Sequence, residues 1–331
     1  MSVRGDRTLE PHVTNLKERL FVWISGILAR LLFRANVPLL VIRDRYERLA
    51  AVSREKLKAK FPRLEFGDHD LAGVYAESTR AADHPERILM HLHGGIYFLG
   101  SAASFRARAK NLSYRCRATV FMPEYRLAPE HPFPAAFEDA KAAWLALVER
   151  HPDVPAHLSG DSCGGGLALA LMMALRDEGL PLPENCFVIS PWTDLAATGP
   201  SMEENRKKDW FSKELNDQWT PQILAGADPT DPRISPLYGD FAGLPPLLFI
   251  VGGHEVILDD TRRCVEKARG VGVTVTEVIG AGMFHDYPLA LPRLRESQRA
   301  WDTIEGFLGS NSLRTPLEEV SRTPVASARP Q

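Results

Sequence analysis

The sequence predicts an α/β fold in which a mostly parallel central sheet is flanked by helices, and three observations lead to this prediction. From about residue 73, short apolar segments alternate with helical segments, as in sheets that are covered by helices on both faces. The chain of 331 residues is 44% apolar, which suits one large domain with additions or two smaller domains. A turn flanked by glycines at residues 160–164 joins a strand to a helix.

The first 60 residues are predicted to form cap helices. Residues 15–50 have a helical pattern whose broad apolar face is formed by Leu20, Phe21, Trp23, Ile24, Ile27, Leu28, Leu31 and Leu32. Arg30, Arg34 and Pro38 interrupt the pattern, so it is too short for a spanning helix, which needs about 20 apolar residues. It also lacks the cleavage site of a secretory signal. A helix on a membrane surface is the alternative.

Residues 61–308 are predicted to form the catalytic domain. Strands are expected near residues 74–78, 87–93, 119–125, 156–160, 186–191, 246–252 and 273–279. Helices are expected near residues 101–116, 135–150, 164–178, 257–270 and 290–308. Residues 196–235 interrupt this rhythm with tryptophans and prolines, so we expect an insertion that adds to the cap. Residues 309–331 are rich in Ser, Thr, Arg and Pro, which predicts a disordered tail.

A serine between two glycines is the candidate nucleophile. A short strand runs into Gly160-Asp161-Ser162-Cys163-Gly164, and an apolar helix begins directly after it. Glycines remove the Cβ atoms that would collide in a sharp turn, which leaves Ser162 strained outward at the N-terminus of a helix. The alternative is a tight turn without a catalytic role.

The segment His93-Gly94-Gly95-Ile96 ends a predicted strand and suits an oxyanion hole. An acyl-transfer enzyme must stabilise a negative oxygen, and the N–H groups of glycines can approach it closely. We expect Gly94 and Gly95 to supply two donors and Cys163, after the candidate nucleophile, to supply the third. His93 is expected to organise the loop, and a simple strand-ending turn is the alternative.

The candidate base is one of two histidines that follow Ser162, namely His254 and His285. In enzymes with a nucleophile on a strand-to-helix elbow, the acid and then the histidine follow the serine in the chain. His285 comes just beyond the last predicted strand, from where it can reach the nucleophile, whereas His254 occupies the usual place of the acid. We therefore expect His285 to be the base, with a buried structural histidine as the alternative.

Several carboxylates compete for the role of the acid. Glu255, Asp259 and Asp260 follow the strand that ends near residue 252. A triad acid lies at the carboxyl end of a strand, which Glu255 satisfies best. The two aspartates fall in the first turn of a helix, where the helix dipole favours acids without any catalytic role. Asp194, one strand earlier, is a further alternative.

Three segments together resemble the hormone-sensitive-lipase-like family of bacterial α/β-hydrolase esterases. They are His93-Gly94-Gly95, residues 160–165 and Glu124-Tyr125-Arg126-Leu127-Ala128-Pro129-Glu130. The resemblance covers roughly residues 60–308 and implies an α/β-hydrolase fold with a helical cap. It also implies a serine carboxylesterase that hydrolyses short- to medium-chain esters through an acyl-enzyme, without a cofactor. Aligning the family's acid motif places the catalytic acid at Glu255.

Three positions depart from the family's pattern. Ile96 replaces a Gly or Ala, Cys163 replaces an Ala, and Glu255 replaces an Asp. Ile96 keeps its backbone donor but narrows the pocket beside it, and the longer arm of Glu255 can still orient an imidazole. The side chain of Cys163 is expected near the reactive serine, within reach of a thiol reagent, unless it is a small buried apolar group.

Composition limits the classes of partner and location. A net charge of −2 provides no basic surface for nucleic acid. The four cysteines form no CxxC pair, which argues against a zinc site or a disulfide framework and favours the cytoplasm. The expected partner is a small-molecule ester; integral membrane association is not expected, while peripheral contact and a homodimer stay open. A lactonase or an amidase/deacetylase on the same triad, or a non-catalytic binder, are the alternative functions.

Overall fold

A computed structural model describes residues 37–81 and 87–309. Within them the central sheet has eight strands. These are β1 (Glu65–Leu71), β2 (Val74–Arg80), β3 (Arg87–Leu92), β4 (Ala118–Pro123), β5 (Ala156–Asp161), β6 (Cys186–Ile189), β7 (Leu247–Gly252) and β8 (Val275–Gly280). Their order across the sheet is β1-β2-β4-β3-β5-β6-β7-β8.

The sheet is antiparallel at one edge and parallel elsewhere. β2 pairs antiparallel with both β1 and β4, whereas all other neighbouring strands are parallel. Every residue of β3, β6 and β7 is buried, as expected of strands covered on both faces. Because the parallel strands end at the same edge, the loops that follow β3, β5, β6, β7 and β8 gather there.

Helices cover both faces of the sheet. In the described ranges they are α1 (Leu39–Ala50), α2 (Arg54–Lys60), α3 (Ala102–Cys116), α4 (Ala135–Arg150), α5 (Cys163–Asp177), α6 (Ser201–Glu204), α7 (Lys213–Leu224), α8 (Leu258–Gly270), α9 (Tyr287–Ala290) and α10 (Arg295–Phe307). Successive side chains of a strand point to opposite faces. Ile88 and Met90 of β3 therefore join the core beneath α4, α5 and α8, while Leu89 joins the core beneath α3 and α10.

The predicted α/β fold is confirmed, with differences at its margins. Each predicted strand is present within a few residues, but β1 was missed because its sequence is polar and only Leu71 is buried. The last predicted helix begins at Arg295 instead of near residue 290, because Pro292 follows the separate short helix α9. In the expected insertion, α6 and α7 lie between β6 and β7.

Helix α1 is attached to the loop that follows β3. Arg43 donates to the carbonyl oxygen of Phe98 (2.5 Å), and Glu47 accepts from the N–H of Gly100 (3.2 Å) and the hydroxyl of Ser101 (2.6 Å). The rest of the predicted N-terminal cap, residues 1–36, and the predicted tail from residue 310 lie outside the described residues. None of the helices in the described part is both long enough and apolar enough to cross a membrane.

Candidate active site

Ser162 occupies a sharp turn between β5 and α5. Its φ of 54° and ψ of −125° are strained for a residue with a side chain. The N–H of Ser162 donates to the carbonyl oxygen of Ile189 (2.9 Å), and its own carbonyl accepts from the N–H of Trp192 (2.9 Å). A Cβ at Gly160 or Gly164 would lie 2.2 Å or 2.1 Å from a carbonyl oxygen, so both positions require glycine. Close packing of backbone on backbone thus maintains the strain.

His285 and Glu255 form a hydrogen-bonded pair in the loops after β8 and β7. Nδ1 of His285 lies 2.8 Å from Oε2 of Glu255, so a neutral imidazole donates from Nδ1 and keeps Nε2 free as a base. Glu255 is fully buried, and its Oε1 accepts from the hydroxyl of Ser190 (2.7 Å) and from the N–H of Gly252. The Ser190 hydroxyl also accepts from the N–H of Asp286 (2.9 Å). Ser190 therefore connects the acid to the loop of the histidine.

The rival acids have other partners. Asp259 accepts from the N–H of Ser201 (2.7 Å). Asp260 accepts from the N–H groups of Thr193 (2.8 Å) and Asp194 (2.9 Å), and Asp194 itself lies 3.0 Å from Arg263. Of the four carboxylates considered from the sequence, Glu255 is the one that contacts a histidine located after the candidate nucleophile.

The loop after β3 differs from the expectation at Gly94. The N–H of Gly94 donates to Oδ1 of Asp161 (3.0 Å) and is therefore already engaged. The reason is that Asp161 is fully buried and needs hydrogen-bond donors. Within the described residues, the N–H groups of Gly95 and Cys163 donate to no other group. Of the three expected oxyanion donors, these two remain available.

Asp161 is the centre of a buried polar cluster beneath this loop. Its Oδ1 also accepts from Nε2 of His91 (3.0 Å), and its Oδ2 lies 3.4 Å from Arg108. Burial alone would raise the pKa of Asp161, but the hydrogen bond from His91 and the charge of Arg108 hold that pKa well below its usual range. The residue before the candidate nucleophile is therefore a carboxylate that anchors Gly94.

Asp286 adds a carboxyl group on the other side of His285. Its Oδ2 lies 3.6 Å from Nε2 of His285. Burial alone lowers the pKa of His285, but Asp286 and Glu255 outweigh it and raise that pKa to about 10. Burial raises the pKa of Asp286 well above its usual range. The charge of His285 acts in the opposite direction and lowers the pKa of Asp286, so the titrations of the two groups depend on each other.

The insertion between β6 and β7 holds the loop of the acid. The side-chain amide of Asn205 donates to the carbonyl oxygen of Glu255 (2.8 Å), and Asp209 accepts from the N–H of Val256 (2.8 Å). Burial raises the pKa of Asp209 to about 6. The rings of Trp210 and His285 meet in a T-shaped arrangement with their centroids 5.7 Å apart. The insertion thus contacts both members of the acid–histidine pair.

A chain of aromatic rings connects His285 to the loop after β3. Trp210 packs against Phe211 (5.7 Å between ring centroids), Phe211 against Trp192 (5.5 Å) and Trp192 against Tyr97 (6.5 Å). The Trp210 ring contacts His285, and the backbone N–H of Trp192 is bonded to the Ser162 carbonyl. We call this row of rings, from the histidine to the loop after β3, the aromatic wall.

Sequence reasoning assigned no role to Asp161, Ser190 or Asp286. Asp161 and Asp286 are immediate neighbours of the candidate nucleophile and base, and Ser190 directly follows β6 at the same edge of the sheet. Their positions were a signal that they lie at the site, but their partners depend on the tertiary structure. Across residues 37–81 and 87–309, no group of three or more His, Cys, Asp or Glu is arranged to hold a metal ion.

Known proteins resemble this chain in sequence and structure. A family model described as the α/β hydrolase fold matches residues 89–289. An acetyl-hydrolase of Streptomyces hygroscopicus is 42% identical over 70% of this chain and 79% of that protein. An esterase of Acinetobacter venetianus is 35% identical over 76% of this chain and 84% of that protein.

Two solved structures are similar over most of their length. An esterase from the bacterial hormone-sensitive lipase family has a TM-score of 0.80 and 33% identity, covering 89% of this chain and 98% of the other. The esterase EstE5, soaked with p-nitrophenyl butyrate, has a TM-score of 0.78 and 34% identity, covering 87% of this chain and 97% of the other.

Proposed function

This chain belongs to the α/β-hydrolase family, among the bacterial hormone-sensitive-lipase-like esterases, and is a carboxylic ester hydrolase; we propose that Ser162, His285 and Glu255 form its catalytic triad. The observation that carries the proposal is the 2.8 Å contact from Nδ1 of His285 to Glu255. It lies at the same edge of the sheet as the strained Ser162. Nucleophile, base and acid thus follow in the chain order of this fold.

The reaction passes through an acyl-enzyme. Nε2 of His285 takes the proton of the Ser162 hydroxyl as its oxygen attacks the ester carbonyl, and Glu255 stabilises the imidazolium. The N–H groups of Gly95 and Cys163 hold the oxyanion. The imidazolium then protonates the departing alcohol, and water repeats both steps to release the acid. Within the described residues, Ser162 Oγ makes no hydrogen bond, and such contacts often form only in the substrate complex.

Short acyl groups are the proposed substrates. Support comes from the aromatic wall formed by Tyr97, Trp192, Trp210 and Phe211, whose rings run from His285 to the loop of the proposed oxyanion donor Gly95. Relatives are named an acetyl-hydrolase and an ethyl acetate hydrolase, which agrees with a small acyl pocket. The insertion at residues 196–235, which supplies Trp210 and Phe211 to this wall, is proposed to form the cap together with residues 1–60.

Two further points belong to this proposal. All four cysteines are buried and unpaired, which supports a reducing compartment such as the cytoplasm. A lactonase or an amidase would use the same triad, because leaving-group protonation and pocket shape decide between these substrates. A non-catalytic binder is disfavoured, because it would have no need of the strained Ser162 or the buried pair of His285 and Glu255.

To test this proposed function, the rates at which the parent and Ser162→Ala hydrolyse p-nitrophenyl esters from acetate to laurate are compared. We expect turnover highest with the short esters and abolished in the variant. A small lactone and an aryl amide are assayed in parallel. Faster turnover of either one would move the assignment to that class, and full activity of Ser162→Ala would refute the triad.

A further inference from the structure

The loop of the oxyanion hole has a strained backbone. Ile96 (φ 59°) and Tyr97 (φ 57°) are consecutive non-glycine residues in the left-handed region. This region is unfavourable for residues with a Cβ and especially for a β-branched side chain such as isoleucine. Such strain persists only where the surrounding structure holds it. Gly95, the proposed donor, comes directly before these two residues.

Within the described residues, Cys163 supplies two of the three groups bonded to Tyr97; the third is the N–H of Ala128, which donates to the Tyr97 carbonyl oxygen (2.9 Å). The N–H of Tyr97 donates to Sγ of Cys163 (3.2 Å), and the hydroxyl of Tyr97 donates to the carbonyl oxygen of Cys163 (3.1 Å). Cys163 is fully buried and Tyr97 is 2% exposed, so neither bond competes with solvent. The strained loop is therefore bound on one side to the residue whose own N–H is the other proposed oxyanion donor.

The loop is fixed at its other positions by independent contacts. Gly94 donates to Asp161 (3.0 Å), and the carbonyl oxygen of Gly95 accepts from the N–H groups of Phe98 (2.9 Å) and Leu99 (2.8 Å). These contacts would remain in a protein with alanine at position 163. The bond from the N–H of Tyr97 would not, and a buried donor without an acceptor is unfavourable.

The sulfur at position 163 acts as an acceptor and not as a nucleophile. Burial raises the pKa of the Cys163 thiol to about 12, so the group stays protonated and inaccessible. This agrees with the small buried apolar group that was the alternative to a reagent-accessible thiol.

We propose that Cys163 is a positioning residue of the oxyanion hole, whose side chain holds Ile96 and Tyr97 in the left-handed conformation and thereby aims the N–H of Gly95. The inference rests on the proposed oxyanion donors. It also connects two departures from the family pattern, Ile96 and Cys163. An isoleucine in the left-handed conformation at position 96 needs a supporting contact, whereas a glycine there would not.

The experiment measures kcat and KM on p-nitrophenyl acetate for Cys163→Ala and Cys163→Ser, in the parent and in an Ile96→Gly background. In the parent background, Cys163→Ala is expected to lower kcat about 10- to 100-fold with little change in KM, less than the roughly 100- to 1,000-fold loss of a whole donor. Cys163→Ser keeps an acceptor and is expected to restore most of kcat. In the Ile96→Gly background, the factor by which Cys163→Ala lowers kcat is expected to be several-fold smaller than in the parent background.

The matched control is Cys264→Ala, since Cys264 is also buried and its Sγ lies 3.3 Å from the hydroxyl of Thr193. This variant is expected to lower the melting temperature but not kcat. Affinity for a trifluoromethyl ketone, which binds as an oxyanion, is expected to fall with kcat in Cys163→Ala. Should Cys163→Ala not fold, Cys163→Val, which fills the space of the thiol but offers no acceptor, is measured in the same way.

The proposal would be overturned if Cys163→Ala lowered kcat by the same factor in the parent and in the Ile96→Gly background. It would also be overturned if the kcat of Cys163→Ala were no lower than that of Cys264→Ala. For Cys163→Val, a kcat equal to that of Cys163→Ser would do the same. These outcomes differ from failure of the triad, which would appear as activity retained in Ser162→Ala assayed alongside.

Discussion

Oδ2 of Asp286 lies 3.6 Å from Nε2 of His285, the ring nitrogen that must face the substrate. Glu255 contacts the opposite nitrogen at 2.8 Å, so the imidazole lies between two carboxyl groups. Asp286 is in the left-handed conformation (φ 57°), and its N–H is bound to Ser190. The backbone therefore directs a second acid toward the base, and this relationship has consequences for pH dependence.

The first prediction concerns Asp286→Asn. The general base must be neutral, and the negative charge of Asp286 raises the pKa of His285. Removing that charge lowers this pKa, so the acidic limb of the kcat/KM profile should move to lower pH. The measurement is a pH–rate profile on a p-nitrophenyl ester. Asp259→Asn, whose carboxyl binds Ser201, is the control and should leave the limb unchanged. An unshifted limb in Asp286→Asn would mean that Asp286 is uncharged in the free enzyme.

The second prediction concerns the base. His285→Ala should lower kcat about 10⁴- to 10⁶-fold, because the serine proton then has no acceptor. His254→Ala is the matched control, since His254 also follows Ser162 in the chain but forms no pair with Glu255. The control should retain kcat within a few-fold. Comparable losses in the two variants would contradict the assignment.

The third prediction distinguishes the acids. Glu255→Gln keeps the size of the side chain but removes its charge, so it can neither stabilise the imidazolium nor enforce the tautomer that donates from Nδ1, and kcat should fall about 10⁴-fold. Asp259→Asn and Asp260→Asn are compared with it by steady-state kinetics and thermal unfolding. Asp260→Asn should affect stability more than kcat, because Asp260 accepts from two buried backbone N–H groups. If Asp259→Asn or Asp260→Asn lowered kcat more than Glu255→Gln does, that aspartate would be assigned as the catalytic acid in place of Glu255.

The sequence predicted the parallel part of the fold well, because its strands are apolar runs between helices. It did not predict β1, whose residues Glu65–Leu71 pair antiparallel with β2 although their pattern is polar. Pairing with a neighbouring strand forms that element, and no local preference of the segment indicates it.

The sequence indicated candidate site residues at positions where a local conformation requires a particular type of residue. Ser162 between glycines and His285 after the last strand are of this kind. Gly94 was not, because whether its N–H is free depends on a carboxylate from a different strand, Asp161. The link from Ser190 to Glu255 likewise spans 65 residues, and nothing in the local sequence of either residue shows it.

The last prediction concerns the aromatic wall. Phe211 is 6% exposed and packs against both Trp192 and Trp210. The backbone N–H of Trp192 binds the Ser162 carbonyl, and the ring of Trp210 contacts His285. In Phe211→Leu the loss of the ring should open space for longer acyl groups, so the ratio of kcat/KM for p-nitrophenyl octanoate to that for acetate should rise roughly tenfold. The control is Phe241→Leu, since Phe241 is also buried (1% exposed) but is not part of the aromatic wall. Its selectivity should match that of the parent even though its stability falls. If both variants kept the parent's ratio, the wall would not set the acyl length, and the residues that do would have to be sought elsewhere in the cap.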